Sequence, residues 1–172
     1  HVVDKATKLQ TLFDRIHLVD TRFEVLKRDA QLAMLKAKLA LRDSHDDQRK
    51  SPWDARAEAA LDEDLARHLH QIESDREFLR QSNVGSELMT PEDQERVKRI
   101  GTGYRWIGVD GKSANFLSDD ELENLNIRAG TLTQKERETI NYHIVATIKM
   151  LEQLPWPKHL KNVPEYAGGH VA

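Results

Sequence analysis

With 172 residues, of which 38% are apolar, 32% charged and only 6% aromatic, the chain has little material for a thick core and suits long solvated helices. A net charge of −3 without a basic stripe argues against a general nucleic-acid binder. The lack of cysteine excludes disulfides and thiolate metal sites and fits a reducing cytoplasm. No apolar run nears membrane-spanning length and no signal peptide is seen, so a soluble cytoplasmic chain with no membrane contact is expected. His1 in place of a start methionine, and an end just after His170, read as an internal piece of a longer protein.

Between Asp4 and Leu41 there is neither proline nor glycine, and apolar residues recur every seven positions. Leu9, Ile16, Phe23, Ala30 and Ala37 fill one heptad position, and Leu12, Val19, Leu26, Ala33 and Ala40 the other. Such an a/d seam predicts a long helix that packs against a partner helix, about 55 Å long if unbroken. The partner is open at this point: it is either the second arm of a hairpin within the chain or a second copy in a homodimer formed through the 9–40 seam. The stretch from Arg42 to Lys50 carries no apolar residue and reads as a solvated connection, with Ser51-Pro52 placed to start the next helix. From Trp53 to Gln81 the spacing of Trp53, Ala57, Leu61, Leu65, Leu69, Ile72 and Leu79 marks another helix with one apolar stripe, which would fold back antiparallel. His68 and His70, two residues apart, point to different faces and read as surface residues.

Asn83-Val84-Gly85 breaks this helix, and Thr90-Pro91-Glu92-Asp93 starts a third, with Thr90 as N-cap, that should end near Ile100. Residues 104–116 contain the turn signal Asp110-Gly111 and fit a small β-hairpin or an ordered loop equally well. Ser118 reads as the N-cap of a short helix reaching about Leu125. Thr133 with Glu136 forms a capping box, and Ile140, Ile144, Thr147, Ile148, Leu151 and Leu154 then mark one apolar helical face. His143 sits at the edge of that face and is expected to be half buried. Pro155 and Pro157 stop the helix, a shorter one from Lys158 to Ala167 is expected next, and Gly168-Gly169 close it before His170. The predicted fold is thus all-α, with a long hairpin over 1–82, an insertion of short helices and loop over 83–129, and a further helical segment over 130–172.

No nucleophile motif, phosphate loop or zinc-binding His-Glu-x-x-His pair is present, which leaves His143 and His170 as the candidate ligands. Taken by itself, a histidine beside an apolar face is more often structural, because its second nitrogen needs only one partner.

Gly130-Thr131-Leu132-Thr133 with Glu136-Arg137, then His143, then Pro164-Glu165-Tyr166-Ala167-Gly168-Gly169-His170, resembles the HD-GYP branch of the HD-domain metal-dependent phosphohydrolases. The segment Val2 to Leu9 also resembles the stretch that follows the His-Asp motif in members with a large insertion. The resemblance covers the two ends of the chain and leaves Arg42 to Leu125 as a subfamily insertion. It implies that His143 and His170 are metal ligands, that the intact protein holds divalent iron or manganese, and that it cleaves a cyclic dinucleotide such as cyclic di-GMP. The pattern also departs from the family: the place expected for the naming His-Asp pair falls before His1, and Val171 stands where a second histidine is expected. Two ligands do not complete a hydrolytic site, so the piece alone is expected to be inactive. A non-catalytic helical module for dimerisation or signalling is the alternative reading.

Overall fold

The computed structural model describes residues 13–43, 52–85, 88–160 and 162–169. In chain order these form α1 (Ile16–Asp43), α2 (Pro52–Val84), α3 (Pro91–Gly103), β1 (Arg105–Ile107), β2 (Ser113–Asn115), α4 (Asp119–Leu125), α5 (Gln134–Glu152), a 3-10 turn (Lys158–Leu160) and α6 (Val163–Gly169). The fold is all-α apart from one two-stranded hairpin. The chain divides into two compact units, residues 1–129 and 130–172. Among the described residues no helix is long and apolar enough to cross a membrane.

In the first unit, α1 begins at Ile16, after the non-helical residues 13–15. The Asp14 carboxylate accepts the Ile16 N–H at 3.0 Å, a local hydrogen bond that takes one of the free donors of the first turn. Its 28 residues span about 42 Å, so the described helix is shorter than the 55 Å expected. Leu9, Leu12 and the Val2 to Leu9 segment lie outside the described residues.

The seam on α1 is filled by α2. Ion pairs fix one antiparallel register: as the α1 partner advances from Asp20 through Glu24, Lys27 and Lys38 to Arg42, its α2 partner retreats from Arg80 through Arg76, Glu73 and Asp62 to Glu58. The seam residues Val19, Phe23 and Leu26 are buried, with Ile72 and Leu79 of α2 opposite them in the same core. Each such side chain contributes roughly 1.5–3 kcal/mol by leaving water. Towards Leu41 the seam turns to alanine, and Ala37, Ala40, Leu41, Ala57, Ala60 and Leu61 line an open, largely apolar groove instead, with Asp64 at its edge.

The rest of the unit closes the broad end of the hairpin. Val97 and Ile100 of α3, then Phe116, Leu117 and Leu125, complete the core around Phe23. Phe23 meets the Phe116 ring at 4.4 Å and the Tyr104 ring edge-on at 6.4 Å. Thr90 and Asp93 form the capping box of α3, and Ser118 and Glu121 that of α4. The third helix runs to Gly103, past the expected end at Ile100, because Gly101 tolerates a site with no room for a side chain. Residues 104–116 resolve as a β-hairpin with Trp106 opposite Ala114, and Gly111 at φ 75° makes its turn.

Two buried carboxylates lock these layers. Glu121 receives both Arg22 nitrogens, at 2.5 and 2.8 Å, and the same guanidinium reaches the Phe116 carbonyl at 2.6 Å. Burial raises the Glu121 pKa, but the Arg22 and Ser118 hydrogen bonds outweigh it and hold the carboxyl below its ordinary value. Asp75 accepts from Arg96 at 2.9 Å and from the Tyr104 hydroxyl at 3.0 Å. Burial first, and then this carboxylate, push the Tyr104 phenol far above its ordinary value, so it remains a hydrogen-bond donor.

Candidate metal-ligand histidines on the C-terminal helices

The second unit is built on α5. Its start is set by the Thr133 capping box: the Thr133 hydroxyl accepts the Glu136 N–H at 3.3 Å, while Glu136 accepts the Thr133 N–H at 2.8 Å. Gly130 at φ 73° turns the chain into this cap. The helix ends at Glu152, three residues before Pro155, and Trp156 folds back to donate its indole N–H to the Leu151 carbonyl at 2.6 Å. The single helix expected from Lys158 to Ala167 is instead a 3-10 turn followed by α6. Pro164 explains the break: lacking an N–H, it is tolerated in the first turn of a helix but not in its interior. Gly168 and Gly169 belong to α6 rather than closing it before them.

His143 lies midway along α5 and is exposed, not half buried. Among the described residues of this unit α6 packs against α5 but leaves its apolar face partly open, and no α5 residue is buried. The imidazole borders an open groove of about 450 Å³ with Ile140, Ile144, Thr147, Ile148 and Ala167. Thr147 turns its hydroxyl to the His143 carbonyl at 2.8 Å, one helical turn back, so it does not hold the ring. Ala167 shows which end of α6 comes to the histidine; this placement depends on the break at Pro164, which helix periodicity does not reveal. His170, three residues after Ala167, lies outside the described residues. Among the described residues no three histidine, aspartate or glutamate side chains gather in a way that could hold a metal ion. The donors on these helices therefore do not by themselves fit a metal site, which needs a filled set of ligands.

What the two helices do offer is a polar nitrogen at the rim of an apolar trough, with the start of α5 fixed by its cap. Residues 119–172 match the family model of the HD domain. The match takes in α4, α5 and α6, and with them His143 and His170. It supports a metal-dependent phosphohydrolase-type domain at this end of the chain, and HD domains generally bind divalent metals. No curated protein matches the chain, and no solved structure does.

Proposed function

We propose that the chain is part of an HD-GYP-type phosphohydrolase, acting on a cyclic dinucleotide in the cytoplasm, to which it contributes His143 and His170 as two ligands of a divalent metal centre. One observation carries this reading: the HD-domain match spans the capped helix that presents His143 at an open groove. The exposure of the imidazole supports it, since a structural histidine on this face would be covered and hydrogen-bonded. A hydrolytic metal site needs more ligands than these two histidines, and the 172 residues alone are expected to be inactive. The alternative, a purely helical interaction module, draws its support from the leucines on α1 taken up below; it concerns different residues and is compatible with the first reading.

The test uses the longer protein that carries this sequence. Replacing His143 by alanine is expected to reduce bound iron or manganese and to lower turnover of cyclic di-GMP by at least roughly a hundred-fold, the scale of losing a ligand or its orienting partner. Unchanged metal content together with unchanged turnover would sink the assignment.

A further inference from the structure

The a/d seam of α1 is occupied within the hairpin, yet α1 carries a second apolar row whose leucines are exposed and whose Val25 is only partly covered. Leu18, Val25, Leu32 and Leu39 repeat at seven-residue intervals, and Leu35 lies between the last two. The four leucines are 44%, 52%, 51% and 57% exposed, for Leu18, Leu32, Leu35 and Leu39 in turn. At about 100° per residue this row faces directly away from the Phe23 side that meets α2. A solvated hairpin arm would be charged here, as the outward positions of α2 are, with Glu63, Arg67, His70 and Glu77 exposed. Leucine at a strict heptad repeat is instead the sequence of a second helical interface.

The charges beside the row say what covers it. Asp29 and Lys36 are both exposed, lie on the same flank of the row, seven residues apart, and form no ion pair among the described residues. If two copies of α1 meet antiparallel about a two-fold axis near Leu32, each Asp29 comes opposite Lys36 of the other copy, twice over. The same register sets Leu32 on Leu35 and Val25 beside Leu39. Arg28, the one charge within the row, then lies along Leu39 of the second copy and can extend its head to water. A parallel pairing would bring the Arg28 side chains of the two copies to the same level and would lose the reciprocal Asp29–Lys36 match, since those residues are seven apart. We propose that the α1 leucine face is a self-association surface, and that two copies of this chain join their hairpins antiparallel into a four-helix arrangement. The dimer expected from the seam thus uses the opposite face of the same helix, and the proposal stands independently of the phosphohydrolase reading.

Sedimentation of the 172-residue chain from micromolar to near-millimolar concentration is expected to show a monomer–dimer equilibrium. Leu32→Glu with Leu39→Glu abolishes the dimer while leaving the helical circular dichroism unchanged, since both positions are on the surface. Asp29→Lys and Lys36→Asp each create two like-charge contacts and weaken self-association by roughly ten-fold. Mixed with each other, these two single variants restore both pairs and associate as tightly as the unmodified chain. A chain monomeric at every concentration, a dimer indifferent to the two glutamates, or a mixture no tighter than its components would each overturn the proposal.

Discussion

Asp20 concentrates the electrostatics of the hairpin at one position. It is only 9% exposed, yet it accepts from Arg76 at 2.9 Å and from Arg80 at 2.8 Å, two residues one turn apart on α2. Burial raises its pKa, but the hydrogen bonds from Arg80 and Arg76 together bring it below the ordinary carboxylate value. Breaking a fully buried pair costs about 3–5 kcal/mol because the surviving charge is stranded. Here the Arg80 side chain is 46% exposed and Arg76 keeps Glu24, so the loss is smaller. Asp20→Asn is expected to destabilise the first unit by about 2 kcal/mol, read as a lower urea midpoint with an unchanged slope. A midpoint within error of the unmodified chain would show that the pair is solvent-screened. The contrast with His143 is instructive: it is exposed, and its side chain is in no hydrogen bond or ion pair among the described residues. His143→Ala should therefore leave the folding of its unit within about 0.5 kcal/mol, which keeps the metal-binding experiment free of a folding artefact.

At the scale of the element, α3 and its glycines separate packing from helix propensity. A Cβ built at Gly101 would lie 2.6 Å from Leu122 Cδ2 and 3.1 Å from Leu117 Cδ1, whereas one at Gly103 meets nothing within 4 Å. Alanine is the better helix former by about 1 kcal/mol at either site. Gly101→Ala nonetheless should destabilise by roughly 1–3 kcal/mol, because the core around Leu117 must move, while Gly103→Ala should be neutral or slightly stabilising. Equal effects at the two positions, measured by thermal unfolding, would show that propensity dominates. The same helices show what the sequence could say. The caps at Thr90, Ser118 and Thr133 were legible because each is a local exchange of two hydrogen bonds between residues three apart. The seam through Val19, Phe23 and Leu26 was legible because a heptad repeat needs no knowledge of the partner. Its partner stayed open between α2 and a second copy, since the choice of α2 depends on ion pairs between residues far apart in the chain. His143 was found by its neighbours in sequence, but its exposure follows from how little α6 covers, and the site of α6 follows from Pro164.

At the scale of the whole first unit, the hairpin and the helices that close it are joined by carboxylates whose pKa values are held low. Asp20 ties α1 to α2 and Glu121 ties α4 to α1. Glu73, bonded chiefly by Lys27, adds a third link between the long helices, though a more exposed and weaker one. A carboxyl with a lowered folded pKa binds protons more readily when unfolded, so stability is full above the unfolded value near pH 4 and drains away as pH falls through the folded value. The unit should therefore show a flat unfolding midpoint from about pH 8 to pH 5 and a steep loss below pH 4. Raising the salt should lower the plateau only slightly, because Asp20 and Glu121 are shielded from counterions while the pairs that salt screens, such as Arg15 with Asp120, contribute little. In Asp20→Asn the plateau drops but the acid slope becomes shallower, since one group that took up a proton on unfolding is gone. If the slope were unchanged, the acid sensitivity would belong to groups other than the ones that join α1 to its neighbours. The dimer proposed for the leucine face follows a different rule: its Asp29–Lys36 pairs lie at the rim, so association weakens with salt at neutral pH where the fold itself does not.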